Sequence, residues 1–212
     1  MYYYSIGESR GVFIVLEGID GSGKTSIANM IISELSAKGF KTLYTFEPTD
    51  SEIVGLVKTK LGDLRDPYID TLIFALDRLL HVKSKVIPAL KEGHVIICDR
   101  YYYSSVAYQG AQGAPVEWIL EVNKWALKPD IAIYLDVDPA IAIKRKSGIS
   151  SRFPEFEKLE LQYKVRDVYL KLVELGLLTL IDASRDLNEV YSDVRKLVFK
   201  AIEEKMLLGF RG

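Results

Sequence analysis

The segment GIDGSGKT, residues 18–25, carries a glycine spacing that could bind phosphate. Gly18 and Gly23 are separated by four residues, and Lys24 and Thr25 follow directly. In such a loop the backbone amides point at phosphate oxygens, the lysine reaches the β- and γ-phosphates, and the hydroxyl binds Mg²⁺. A purely structural glycine turn is the alternative. We predict a nucleoside triphosphate site formed by Gly18, Asp20, Gly21, Ser22, Gly23, Lys24, Thr25 and Ser26.

A second polar cluster, CDRYYYSSVAYQG at residues 98–110, follows the apolar run HVII. Asp99 and Arg100 end a segment that resembles a buried strand, and tyrosines and serines crowd behind them. A strand that ends in a charged pair and continues into a polar, aromatic segment indicates the edge of a site.

Short apolar runs alternate with amphipathic segments along the chain. We predict strands at 11–18, 41–48, 94–99, 130–138 and 177–184, and helices at 24–39, about 52–91 and about 186–208. The long helical region should break near Gly62 and Pro67, and Pro88 should kink its end. This alternation predicts an α/β P-loop nucleoside-triphosphate hydrolase-type fold, with a five-stranded parallel sheet flanked by helices. Ligands in such sheets bind beyond the carboxyl ends of the strands, where both polar clusters lie.

The composition indicates one ordinary globular domain spanning residues 1–212, with residues 1–10 as a loose extension. A net charge of -1 gives no support to a nucleic-acid or membrane partner. No apolar run approaches the roughly 20 residues that span a bilayer. The single cysteine, Cys98, should be a buried thiol rather than a reactive one, and it suits a reducing cytoplasm.

Phe74 and Arg78 lie four residues apart in LIFALDRLLH, so they share one helical face. An aromatic plane beside a guanidinium could stack on a nucleobase and donate to its carbonyl edge. The alternative is that Phe74 belongs to the core and Arg78 to the solvated face. A GTPase is not favoured, because the segment NKWA at 123–126 lacks the aspartate of the guanine-recognition motif. A small-molecule phosphotransferase fits better.

The chain resembles thymidylate kinases over about residues 11–185. The resemblance rests on EGIDGSGKT, EPTDS, LIFALDRLLH, DRYYYSSVAYQG and PDIAIYLDVDP, in the order and spacing of that family. It implies transfer of the γ-phosphate of ATP to dTMP, giving dTDP and ADP, with Mg²⁺. It also implies a homodimer formed through the helices around 52–90. Two alternatives stay open. One is a deoxynucleoside kinase with Asp99 as general base, against which Arg100 and EPTDS favour a charged acceptor. The other is a non-catalytic nucleotide-binding module, against which Lys24, Thr25, Asp99 and the basic lid argue.

The resemblance also implies roles for individual residues. Phe74 would stack on thymine, Arg78 would donate to its O4, and Arg100 would grip the acceptor phosphate. Asp20 would meet the 3′-hydroxyl or Arg100. Tyr108 would crowd the 2′ position, favouring deoxyribose. The implied substrate-binding set is Asp20, Glu47, Pro48, Phe74, Arg78, Arg100, Ser104, Tyr108 and Gln109, and the implied metal-facing residues are Thr25 and Asp99.

Three features depart from the family pattern. Phe46 stands where many bacterial members have an arginine, TDS at 49–51 replaces a Gly-Gly-Thr turn, and the phosphate loop lacks the arginine that some members carry. Positive charge for the transition state must then come from a basic lid at about 144–158. The resemblance implies Arg152 for that role and places Arg145 nearer the adenine. A solvated basic loop is the alternative. The catalytic assignments are Lys24, Asp99, Arg100 and Arg152.

Overall fold

The computed structural model describes residues 11–146 and 153–209, and its centre is a parallel sheet of five strands. The strands are β1 (Val12–Glu17), β2 (Thr42–Phe46), β3 (Val95–Asp99), β4 (Ile131–Asp136) and β5 (Thr179–Asp182). All pairings are parallel, in the order β2-β3-β1-β4-β5. The predicted fold and its strands are confirmed.

Helices cover both faces of this sheet. They are α1 (Lys24–Ala37), α2 (Glu52–Thr59), α3 (Pro67–His81), α4 (Ile87–Lys91), α5 (Tyr102–Ala111), α6 (Val116–Val122), α7 (Pro139–Lys146), α8 (Leu159–Glu174) and α9 (Leu187–Gly209). Short 3₁₀ turns lie at Gly62–Leu64 and Pro154–Glu157, and a π-helical turn at Val82–Val86 joins α3 to α4.

The long helical region breaks where the sequence predicts. α2 ends before Gly62, which has a φ of 46°, and Pro67 occupies the first turn of α3, whose start is capped by the Asp66 side chain. The third interruption is a widened turn rather than a kink at Pro88. Because Pro88 has no N–H for the carbonyl four residues earlier, the helix accommodates it by a π-helical turn, in which Ile87 N–H bonds to Val82 O.

The core lies around the central strands. Every residue of β1 and β3 is buried, which explains their nearly unbroken apolar sequences. Cys98 is fully buried on β3 as a free cysteine, and burial raises the pKa of its thiol well above the usual value. The parallel register sets Leu16 opposite Asp99 and Phe46 opposite Asp99, so the ends of three strands meet at one edge.

Two sequence predictions fall outside the described residues. These are the N-terminal extension at 1–10 and the lid segment 147–152, which includes Arg152. Among the described helices, none combines the length and apolar character needed to cross a membrane.

Candidate active site

The phosphate-binding loop connects the end of β1 to α1. Gly21 and Gly23 have φ values of 85° and 94°, in the left-handed region that glycine adopts without strain. A Cβ on Gly21 would lie 2.2 Å from Ala142 O, so this part of the loop packs against the backbone of α7. Gly23 is the N-cap of α1 and has no side chain to occupy the helix amides. The amides at the start of α1 are therefore available to an anion.

Lys24 is buried against this loop. Its Nζ donates a hydrogen bond of 2.9 Å to Ile19 O. Burial and the charge of Arg100 lower the pKa of Lys24 to about 8, although Asp99 and Asp20 partly oppose that effect. A cation held in a desolvated position interacts strongly with any phosphate that replaces the water there.

Thr25 and Asp99 lie side by side. Thr25 Oγ1 donates to Asp99 Oδ2 over 2.8 Å, and the Tyr44 hydroxyl donates to the same oxygen over 3.4 Å. Burial and the nearby Asp99 carboxylate raise the pKa of Tyr44 to about 12. A hydroxyl and a carboxylate are the oxygen donors that Mg²⁺ accepts alongside water and substrate phosphates. These two residues fit the predicted metal role.

Arg100 projects from the end of β3 toward the phosphate loop. Its Nη2 donates to Asp20, the second of the two contacts expected for Asp20, and to the Tyr108 hydroxyl over 3.3 Å. Its Nη1 donates to Ser104 Oγ over 3.3 Å. Burial alone would raise the pKa of Asp20, but the charges of Arg100, Lys24 and Lys146 hold it well below the usual range. The loop and β3 are thus joined by a charged pair.

Arg78 is buried rather than solvated, so the alternative interpretation of this residue is wrong. Its Nε donates to Glu47 Oε2 over 2.7 Å, and its other nitrogens donate to Asn123 and, over 3.2 Å, to Ser105 Oγ. The guanidinium carbon also lies 5.4 Å from the Tyr101 ring centroid. Partners from three other segments therefore hold this guanidinium at the wall of the cleft.

Phe74 is a core residue that also lines the cleft. It belongs to a small apolar cluster with Val54 and Val57, and it also lines the cleft. Its ring meets that of Phe153 edge-on, with the centroids 5.8 Å apart. It is therefore a packed side chain with one part facing the site.

The EPTDS segment is held by α3. Glu47 Oε1 lies 2.8 Å from His81 Nδ1, and His81 Nε2 lies 2.7 Å from Thr45 Oγ1. Asp77 accepts hydrogen bonds from Thr49 N (2.8 Å), Thr49 Oγ1 (2.5 Å) and Ser51 Oγ (2.7 Å). Asp77 thus fixes the TDS segment, which stands where the family pattern has a Gly-Gly-Thr turn.

A single cleft of about 1120 Å³ brings nearly all of these residues together. Gly18 does not line it: a Cβ there would meet Ser22 Oγ at 2.6 Å and Leu135 O at 2.9 Å, so its role is close packing. Arg152 lies outside the described residues. The predicted residues that do line the cleft are Asp20, Gly21, Ser22, Gly23, Lys24, Thr25, Ser26, Glu47, Pro48, Phe74, Arg78, Asp99, Arg100, Ser104, Tyr108, Gln109 and Arg145.

The cleft also contains residues for which the sequence predicts no individual role. Lys146 donates to Asp20 over 2.9 Å and pairs with Glu157, so a described lid cation reaches the phosphate loop. The sequence signal at Asn123 is only its place in NKWA, which lacks the aspartate of a guanine motif. The unassigned lining residues are Tyr44, Phe46, Asp50, Tyr101, Ser105, Lys146, Phe153, Phe156, Ala183, Arg185, Asp186, Leu187 and Val190.

Arg145 is held at the carboxyl end of β5 by two backbone carbonyls. Its Nη1 donates to Ala183 O over 2.7 Å and its Nη2 to Ser184 O over 3.1 Å. Leu187 and Val190 of α9 line the same end of the cleft. A guanidinium plane beside aliphatic side chains could accommodate a flat ring.

Comparison with known proteins identifies the family of this chain. The chain matches the profile of the thymidylate kinase family over residues 16–194. It is 54% identical over 195 residues to a probable thymidylate kinase of Staphylothermus marinus, covering 92% of this chain and 98% of the relative. A probable thymidylate kinase of Pyrococcus horikoshii is 44% identical over 200 residues, covering 89% and 96%. Probable thymidylate kinase 1 of Saccharolobus solfataricus is 41% identical over 188 residues, covering 88% and 96%. This chain belongs to the thymidylate kinase family.

Proposed function

We propose that this protein transfers the γ-phosphate of ATP to dTMP, forming dTDP and ADP for dTTP synthesis. The observation that carries the proposal is the position of Arg100. Its guanidinium contacts Asp20 of the phosphate loop on one side and the hydroxyl and ring of Tyr108 on the other. Arg100 therefore lies between the phosphate loop and the aromatic side of the cleft. A guanidinium in this position can form two parallel hydrogen bonds to the phosphate of an acceptor that is already phosphorylated.

The donor nucleotide is assigned to the phosphate loop. The loop amides and Lys24 would hold the β- and γ-phosphates, and Arg145 with the β5–α9 segment would border the adenine. Thr25 and Asp99 would hold Mg²⁺, which supplies charge neutralisation on the phosphate oxygens when bound.

The acceptor is assigned to the pocket between α3 and α5. Phe74 would stack on thymine, and Arg78 would direct donors to its carbonyl edge. The Gln109 side chain is buried, and its Oε1 has no hydrogen-bond partner within the described residues, so it offers an acceptor to a bound ligand. Tyr108 and Ser104 would complete the wall near the sugar.

The chemical step needs positioning more than proton transfer. The attacking group is a phosphate oxygen already ionised at neutral pH, so no strong general base is required. Lys146, which contacts Asp20, is placed to add positive charge near the loop. Arg152 remains our assignment for the transition-state cation.

Steady-state kinetics with dTMP, dUMP, dCMP and thymidine tests the proposal. The wild type should prefer dTMP. Arg100→Ala should raise KM for dTMP by about 10- to 100-fold, lower kcat, and leave KM for ATP nearly unchanged, because the charge-assisted bonds are lost at the acceptor. Arg100→Lys should restore only part, since an ammonium lacks the fork.

The rival function predicts the reverse pattern. In a deoxynucleoside kinase, Asp99 would act as base on a hydroxyl, so Asp99→Asn would be far more damaging than Arg100→Ala. A wild-type preference for thymidine over dTMP would refute our assignment. Absence of turnover with every acceptor would favour a non-catalytic nucleotide-binding module.

A homodimer through α3 is part of the proposal. Tyr68, Leu72, Leu76 and Leu80 repeat every four residues, and 45%, 53%, 49% and 47% of their surfaces, respectively, are exposed. Such a stripe on one helix suits a second copy of the chain. Sedimentation equilibrium should give a dimer, and Leu76→Glu should shift it to monomer.

We also place the reaction in the cytoplasm. The support is the use of cysteine: the chain has one, Cys98, and it is a buried free thiol. A reducing compartment suits that pattern. Cell fractionation with an antibody against the protein would test it.

A further inference from the structure

Glu17 is a fully buried carboxylate at the end of β1 whose role the proposed mechanism leaves open. Its Oε1 accepts hydrogen bonds from Tyr101 N over 2.8 Å and from Ser104 N over 3.2 Å. Its Oε2 accepts from Ser104 Oγ over 2.6 Å and from the Tyr169 hydroxyl over 2.8 Å. One side chain thus joins β1, the start of α5 and α8. Within the described chain it lies behind the lining of the cleft.

The carboxylate acts as an N-terminal cap for α5. The helix begins at Tyr102, and the N-cap residue Tyr101 makes no capping hydrogen bond with its own side chain. Early amides of a helix otherwise lack partners, and a negative group near them is favoured by the helix dipole. Glu17 supplies the acceptor from a different element, 84 positions from Tyr101 in sequence.

Arg100, which directly precedes the N-cap residue Tyr101, has an unusual backbone conformation. Its φ is 69°, the only positive value among the non-glycine residues that the structure describes. Residues with a Cβ disfavour this region, so neighbouring contacts must hold the conformation. Arg100 N donates to Leu16 O over 2.8 Å, and the next amide, of Tyr101, donates to Glu17. Consecutive amides on both sides of the strained residue are therefore bound by consecutive residues of β1.

We propose that Glu17 is a positioning residue that holds Arg100 in its left-handed conformation and so directs its guanidinium at the acceptor phosphate. The inference rests on the proposed function, because it concerns the same acceptor site. This positioning role requires only an oxygen atom that accepts hydrogen bonds from the Tyr101 and Ser104 amides. A negative charge is not required, and burial raises the pKa of Glu17 despite the hydrogen bonds and the charge of Arg100, which lower it.

Two substitutions at Glu17 separate hydrogen bonding from other effects. Glu17→Ala removes the acceptor, and we expect KM for dTMP to rise about tenfold or more with KM for ATP nearly unchanged. Glu17→Gln keeps an oxygen for the Tyr101 and Ser104 amides, and its NH₂ can donate to the hydroxyls of Ser104 and Tyr169. KM for dTMP in this variant should stay within about threefold of wild type.

A double-mutant cycle tests whether Glu17 acts through Arg100. In the Arg100→Ala background, Glu17→Ala should add almost nothing to KM for dTMP, because the guanidinium that it positions is gone. The control is Asp130→Ala. Asp130 accepts the Phe13 amide at the opposite end of β1 over 2.8 Å, so this variant also loses a carboxylate-to-amide bond to the sheet, but far from the acceptor. It should lower the melting temperature without changing KM for dTMP.

The outcomes separate the inference from the function. A Glu17→Gln variant as impaired as Glu17→Ala, additive effects with Arg100→Ala, or a KM rise in Asp130→Ala equal to that in Glu17→Ala would each overturn the positioning role. If the wild type instead prefers another nucleoside monophosphate, the function fails. The same cycle measured with that monophosphate then still decides the role of Glu17.

Discussion

The two halves of the cleft are built in different ways. In the half assigned to the donor, the phosphate-binding part is one continuous segment, residues 20–26, in which Gly21 and Gly23 have positive φ angles that expose amides. The half assigned to the acceptor gathers side chains from several separated elements. There each charged group has its own partners: Arg78 is held by Glu47, Asn123 and Ser105, and these come from three places in the chain.

The difference follows from what does the binding. Backbone amides need only the correct dihedral angles, so a local sequence suffices. A buried guanidinium must be paired and hydrogen-bonded, because an isolated charge in the interior is very costly. The acceptor half should therefore be coupled to the stability of the whole fold, whereas charge in the donor half should matter mainly for turnover.

The largest expected effect is on turnover in the donor half. Lys24→Ala removes the cation from the β- and γ-phosphates, so kcat should fall on the order of 10³-fold. The melting temperature should not fall, because burial already penalises the charged lysine, as its lowered pKa of about 8 indicates. Steady-state kinetics and thermal unfolding check this, and unchanged turnover in a folded variant would remove the loop from the mechanism.

The next effect is on stability in the acceptor half. Glu47→Ala leaves the Arg78 charge buried without its carboxylate, and we expect a loss of about 3–5 kcal/mol in the free energy of unfolding. Glu34→Ala is the matched control, because Glu34 also pairs with an arginine, Arg195, at 2.7 Å but nearer the surface. That loss should be about 1 kcal/mol or less. Urea titrations measure both losses. Equal losses of unfolding free energy in Glu47→Ala and Glu34→Ala would contradict the expected difference between a buried and a surface ion pair.

A smaller effect distinguishes two glycines within the donor half. Gly21→Ala and Gly23→Ala each force an alanine into a positive φ, which costs about 1–2 kcal/mol. Only at Gly21 would the added Cβ also collide with Ala142 O, whereas a Cβ on Gly23 has nothing within 4 Å. Thermal unfolding should therefore show a larger loss for Gly21→Ala. Equal losses would mean that α7 moves away freely.

The smallest effect is a proton taken up on ATP binding. With a pKa of about 8, Lys24 is about half-protonated in the free protein at that pH. The phosphate charges of bound ATP favour the ammonium form and so raise the pKa of Lys24. ATP binding at about pH 8 should therefore take up about half a proton. At about pH 6 the uptake should be near zero, because Lys24 is already protonated in the free protein. Calorimetry in buffers of different ionisation enthalpy measures this uptake. Lys24→Met should abolish it; uptake that persists in Lys24→Met would assign the proton elsewhere.

The halves also differ in how far they could be predicted. The phosphate loop and its flanking strand and helix follow from spacing and periodicity, and the structure contains them. For Phe74 and Arg78, pattern alone left a solvated arginine as an alternative, because helical spacing does not reveal what a side chain meets. The sequence gives no signal for the role of Asn123, because its partner Arg78 lies 45 positions away in sequence.

The amino-acid sequence by itself determined the alternation of strands and helices, the phosphate loop and the charged strand ends, because these depend on local propensity and on residues close in the chain. Only the tertiary structure decided which side chains hold one another. The parallel register brings Glu17 to the start of α5 and Asp20 to Arg100, and the packing of α3 brings Arg78 to Glu47. The physical reason is that pairing of buried charges depends on distance in space, which the order of residues does not specify.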